Sequence, residues 1–155
     1  MPQGLREELK QNKPFPRRSA EAAVSVMRTA AVLEHELNEV LKPHGLTVTQ
    51  YNVLRILRGA GESGLCGREV GERLISRVPD VSRLLERMED TGAVRRERDD
   101  NDRRHVTARI TESGRRLLES VTPELEAVER ARFGRIGEAG LQALITVLAQ
   151  VREPR

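Results

Sequence analysis

The sequence predicts a mainly α-helical fold with a small β wing: a winged helix-turn-helix unit attached to a helical dimerisation region. Three observations predict it. Apolar residues recur at helical spacing over most of the 155 residues. Two short helical stretches meet at a turn just ahead of Pro79. Two strand-like segments then flank the polar run Asp99-Asp100-Asn101-Asp102-Arg103-Arg104, which is too charged for a core.

The length suits one compact domain, or one small domain with a dimerisation arm. With 37% hydrophobic and 33% charged residues the chain is not a disordered one, and no apolar run approaches the roughly 20 residues that span a bilayer. No membrane partner is therefore expected. The stretch Met1 to Glu8 has no apolar leader core, so a cytoplasmic protein is expected. Cys66 is the only cysteine, which excludes an internal disulfide and any thiolate metal cluster. The net charge of +3 arises from 27 bases and 24 acids, so the placement of charge carries more information than its sum.

Residues 1–18 are polar, contain Pro2, Pro14 and Pro16, and read as an N-terminal arm with one helical turn near Leu5 to Leu9. Ser19 is the expected N-cap of a long helix carrying Val24, Met27, Leu33, Leu37, Val40 and Leu41 and ending by Pro43 and Gly45. Thr47, three residues before Gln50, marks a capping box, and Tyr51, Leu54 and Leu57 follow on a second helix. A short helix near Arg68 to Leu74 leads through a turn to Pro79, expected at the first position of the next helix, whose apolar face is Val81, Leu84, Leu85 and Met88. Gly92 ends that helix as its C′ residue. Ala93 to Arg98 and His105 to Ile110 form the hairpin. Thr111 caps a long helix to about Phe133, in which Pro123 marks a kink point, and a last helix carries Leu141, Leu144, Ile145, Leu148 and Val151.

The expected division is an arm at 1–18, a helical dimerisation region at 19–45 and 111–152, and a winged helix-turn-helix DNA-binding domain at 46–110. The apolar faces of the terminal helices find little to cover them in a small wing domain. A second copy of the chain would cover them, and a closed homodimer follows.

The second helix of a helix-turn-helix enters a major groove, where arginine bonds guanine O6 and N7. Pro79, Asp80, Ser82, Arg83 and Arg87 are accordingly the candidate DNA contacts on that helix. Arg103 and Arg104 sit at the hairpin tip, where an arginine reaches a minor groove, and Arg95, Arg96, Arg98 and Arg109 line the strands. Asp99 and Asp102 are assigned to the shape of the wing, Asp102 by tying an arginine and Asp99 by favouring the turn. The alternative reading of these charges is a solvated surface on a helical dimeric protein-interaction module without specific DNA binding.

Several segments together resemble the multiple antibiotic resistance regulator (MarR) family: Leu46-Thr47-Val48-Thr49-Gln50-Tyr51-Asn52-Val53-Leu54, Val78 to Glu89, Gly92-Ala93-Val94, the run Asp99 to Arg104, and Ile110-Thr111-Glu112-Ser113-Gly114. The resemblance covers about Ser19 to Val151, with Asp100 standing where the family often has proline. It implies a homodimer on a pseudo-palindromic operator of double-stranded DNA, usually acting as a repressor. It also implies release by a small effector, often phenolic or anionic, held between the wing domain and the dimer helices, or by cysteine oxidation. By the same resemblance His35 faces the effector region. Tyr51 reads as core and is the second candidate effector contact.

Cys66 lies just before the short helix, where the helix N-terminus and Arg68 favour a reactive thiol, so it is the redox candidate. The competing reading is a small half-buried residue. His35, His44 and His105 lack metal-ligand spacing, so no metal or other cofactor is expected. No nucleophile set, phosphate loop or His-Glu-x-x-His pattern is present, so no catalytic residue is assigned and the chain does not read as an enzyme.

Overall fold

A computed structural model describes residues 4–154. The element order is α1 (Leu5–Glu8), α2 (Arg18–Leu41), α3 (Val48–Ala60), β1 (Leu65–Cys66), α4 (Gly67–Arg73), α5 (Val81–Asp90), β2 (Val94–Arg98), β3 (Val106–Ile110), α6 (Glu112–Phe133) and α7 (Glu138–Arg152), with single 3-10 turns at Lys42–His44 and Gly61–Ser63.

Two helix starts differ from the sequence reading. α2 begins at Arg18 on an extended Arg17, whose carbonyl already takes the N–H groups of Ala20 and Glu21, so Ser19 lies inside the first turn and is not the cap. Pro79 is likewise not the first residue of α5. Asp80 is the N-cap, its carboxylate accepting the Arg83 N–H at 3.0 Å, which moves the helix start to Val81. The other ends follow the sequence. Thr47 and Gln50 exchange both bonds of the capping box at 3.1 Å each, and Thr111 Oγ1 accepts the Gly114 N–H at 3.0 Å. At the end of α5, Gly92 has φ +83°, its N–H bonds the Glu89 carbonyl, and the Ala93 N–H bonds that of Met88, which is the Schellman arrangement. α6 runs unbroken through Pro123, whose exposed position leaves the Glu119 carbonyl it cannot bond on the solvent side.

The sheet is antiparallel in the order β1-β3-β2, with Val94 opposite Ile110 and Arg98 opposite Val106. The two-residue β1, absent from the sequence reading, pairs Leu65 with Ala108 and Cys66 with Thr107. Gly64 makes that pairing feasible: its φ is +64°, and a Cβ there would lie 2.6 Å from the Ala108 carbonyl oxygen. Gly114 does the same for α6, since a Cβ would stand 2.3 Å from the Ala93 carbonyl oxygen.

The core is wholly apolar and continuous from the end of α2 to the first half of α6. Leu41, Leu54, Leu57, Val70, Met88, Val94, Leu118 and Val121 are each at most 2% exposed. It anchors α3, α4, α5 and the sheet as one block, which fixes how α5 and the hairpin point relative to each other. The outer ends of the long helices are different. None of the 15 residues of α7 is buried, and Val151 (68%) and, on α2, Met27 (70%) are largely exposed.

Candidate nucleic-acid interface

α5 is strongly two-sided. Leu85 and Met88 go into the core, while Ser82, Arg83 and Arg87 are exposed on the opposite side. Asp80, read from the sequence as a DNA contact, spends one carboxylate oxygen on capping its own helix.

The hairpin loop is organised by aspartates. Asp99 Oδ1 accepts the Asn101 N–H at 2.8 Å, and Asp102 Oδ1 accepts the Arg104 N–H at 3.0 Å. The Asp99 N–H reaches the His105 carbonyl and the His105 N–H that of Asp102, each at 2.9 Å. Asp102 thus ties the backbone of Arg104, and its carboxylate forms no ion pair with the Arg104 guanidinium.

The arginines divide into two groups. On the strands, Arg95 and Arg109 both pair with Glu97, at 3.1 and 2.9 Å, and Arg96 pairs with Glu89 at 3.2 Å. Arg109 also donates to the Glu62 carbonyl at 2.7 Å, bracing the sheet against the turn before β1. These three are scaffold. Among the described residues, Arg83 and Arg87 on α5 and Arg103 and Arg104 on the wing form no ion pair. Glu89 and Glu97 are thus taken up by strand arginines, while Arg98 at the end of β2, like many bases elsewhere in the chain, is in no ion pair among the described residues; the cations of α5 and the tip are set apart by their position on the reading elements.

A contact that no local pattern signals sets the turn before α5: Asn52 Oδ1 on α3 accepts the Ile75 N–H at 2.9 Å. The partners are 23 residues apart, beyond any periodicity or capping rule.

The remaining candidates are scattered. Tyr51 is half-buried and, with Arg55, Arg58, Thr122, Leu125, Glu126 and Glu129, lines a cavity of about 250 Å³ between α3 and α6. The Arg55 guanidinium lies 6.0 Å from the Tyr51 ring centroid. His35 is exposed on α2 and does not line that cavity, so the two effector candidates are not brought together. Cys66 is half-buried, and its N–H donates to the Glu69 carboxylate at 2.9 Å; this bond and the adjoining thiol hold Glu69 below the usual carboxylate range. His44 Nε2 lies 2.8 Å from Glu124 Oε2. Among the described residues no group of His, Cys, Asp and Glu is placed to hold a metal, and no helix is long and apolar enough to cross a membrane.

The model of the MarR family matches residues 44–105, from the turn before α3 to the end of the wing loop. The uncharacterized HTH-type transcriptional regulator YkoM of Bacillus subtilis is 30% identical over 123 residues, covering 76% of this chain and 77% of that protein. The chain belongs to the MarR family. Among solved structures, CouR from Rhodococcus jostii RHA1 bound to p-coumaroyl-CoA is 26% identical with a TM-score of 0.72, over 91% of this chain and 98% of that one. The transcriptional repressor CouR bound to a 23-mer DNA duplex shares the fold with a TM-score of 0.76 at 23% identity, over 92% of this chain and 100% of that one. As a MarR-family member the chain is a winged helix-turn-helix transcriptional regulator.

Proposed function

We propose that the protein is a cytoplasmic homodimer that binds a pseudo-palindromic operator as a repressor, is released by a small effector, and has no catalytic activity. The observation that carries the reading is the set of exposed, unpaired arginines displayed on the helix and wing of the helix-turn-helix unit. Arg83 and Arg87 on α5 and Arg103 and Arg104 on the wing are left without carboxylate partners in a chain rich in acids. Residues 46–110 are the reading unit in this proposal, with Pro79, Ser82, Arg83 and Arg87 facing the major groove, Arg103 and Arg104 the minor groove, and Asp99 and Asp102 keeping the wing in shape.

Residues 19–45 and 111–152 carry the dimer contacts. The exposed apolar side chains of α7 and of the first half of α2 support this, because a second copy would cover them. The effector site is assigned to the cavity between α3 and α6, where Tyr51 offers an aromatic face and Arg55 and Arg58, facing Glu126 and Glu129 across the lining, offer hydrogen-bond donors to a phenolic or anionic ligand. CouR has been seen with p-coumaroyl-CoA, a ligand of that chemistry. His35 belongs to no part of the proposed site.

A band shift with the DNA upstream of the protein's own gene, in moderate salt, tests the reading. A complex that survives excess random DNA and yields to the unlabelled specific fragment is expected. Equal displacement by both would favour a protein-interaction module that uses the same charged face.

A further inference from the structure

The excess of positive charge in this chain is confined to its first 18 residues. They carry Arg6, Lys10, Lys13, Arg17 and Arg18 against Glu7 and Glu8, five bases to two acids, whereas the residues beyond them balance 22 bases with 22 acids. The whole net charge of +3 therefore resides in this N-terminal segment. All five cations are exposed, and among the described residues none of them is in an ion pair. Of the nearby acids, Glu8 is taken by Arg28 of α2 at 2.8 Å, which leaves Glu7 and, from the first turn of α2, Glu21.

The segment is folded, so the charge is displayed on a surface. Lys10 closes α1 in the left-handed region at φ 52°, as the one non-glycine residue there among those described. Its N–H bonds the Glu7 carbonyl and the Gln11 N–H that of Arg6, a turn in which glycine or asparagine is the usual occupant. Arg6 also donates to the Asn12 carbonyl at 3.2 Å, and Gln11 to that of Lys13 at 2.9 Å. Arg6, Lys10, Gln11, Asn12 and Glu21 border an open depression of about 560 Å³. The cations lie at the start of α2, whose last residue, Leu41, is in the core that carries α5 and the wing. The 24 residues of that helix separate the two places by roughly 36 Å.

We propose that this N-terminal segment binds a second segment of DNA, so that a protein seated on its operator through α5 and the wing holds another duplex at the far end of α2. The inference rests on the DNA-binding reading, which supplies the polyanion. Exposed, unpaired lysines and arginines spread along a segment release the counterions of a duplex without a shaped pocket, which suits a repeating phosphate more than a small enclosed ligand.

The test holds full-length protein on beads through the immobilised DNA upstream of its own gene and measures capture of a labelled duplex of unrelated sequence. Wild-type protein should capture it, and the capture should fall at least about tenfold between roughly 50 and 200 mM salt, as two or more phosphate contacts require. A variant combining Lys10→Gln, Lys13→Gln, Arg17→Gln and Arg18→Gln should remain on the beads with unchanged operator affinity, which shows that it is folded, and should lose most of the capture. No capture by operator-bound wild-type protein, or equal capture by the variant, overturns the inference and leaves operator binding intact. Binding of poly-glutamate but not of the second duplex, lost in the same variant, would also overturn it and assign the segment to an acidic protein. If wild-type protein is retained no better by the upstream DNA than by a scrambled duplex, the DNA-binding reading fails, and this inference with it.

Discussion

At the scale of single residues, the deciding property is what each side chain is already bound to. Arg83 and Arg104 are both unpaired and exposed, yet they project from elements of different destination, so their loss should have different signatures. Removing a bidentate base contact costs about 1 to 3 kcal/mol and relaxes preference at one position per half-site. Arg83→Ala should therefore lower the ratio of operator to scrambled affinity, while Arg104→Ala weakens both and flattens the salt slope. A reversed pattern in the same titrations would exchange the two roles. Gly114 offers a residue-scale test of the scaffold. Its missing Cβ leaves room for the Ala93 carbonyl, and backbone cannot swing aside as a flexible side chain can. Gly114→Ala should cost about 1 to 3 kcal/mol in urea unfolding, and a stability equal to wild type would contradict the close approach.

At the scale of elements, caps and cross-helix pairs define where each helix begins and what it leans on. Thr47 satisfies the start of α3, so Thr47→Ala should destabilise the fold by about 1 kcal/mol, measured by denaturant midpoint at constant m-value. α2 is tied to α6 by the Arg132 guanidinium on the Glu36 carboxylate, which holds Glu36 below its ordinary range. A carboxylate lowered in the folded state contributes stability that is present above its unfolded value, near 4.3, and is lost as pH falls through the folded value. Glu36→Gln should accordingly lower Tm at pH 7 and make little difference at pH 2; an equal deficit at both would assign the effect to packing instead.

The legibility of the sequence also divides at this scale. Capping box, Gly92 terminus, hairpin and Thr111 start are encoded within a few residues of one another, and all were readable. The start of α5 was misplaced because proline and aspartate both favour a helix N-terminus, and only geometry shows that Asp80 takes the cap. β1 was invisible because two residues carry no alternation, and its partner Ala108 lies more than forty positions away. The pairing of Glu97 with two arginines, which separates scaffold cations from free ones, was equally hidden, since charge patterning lists acids and bases without stating which of them meet.

At the scale of the whole molecule, one apolar core presents α5 and the wing as a rigid unit, while α7 and the first half of α2 keep their apolar side chains outside it. Replacing Leu144 and Leu148 by glutamate should convert the dimer to monomer or aggregate in sedimentation, whereas a stable, well-folded dimer would exclude α7 from the interface. The central claim, that the cations left unpaired on α5 and the wing are there for DNA, is tested most directly by one salt-dependent titration of the wild-type protein with operator and scrambled duplexes. With the two wing arginines of each protomer in the minor groove, each displacing about one counterion from the flanking phosphates, a dimer should show log K falling with log salt at a slope of about −3.6 or steeper, and the operator should bind at least about 10³-fold more tightly than the scrambled duplex. A flat salt dependence together with equal affinity for both duplexes would contradict it.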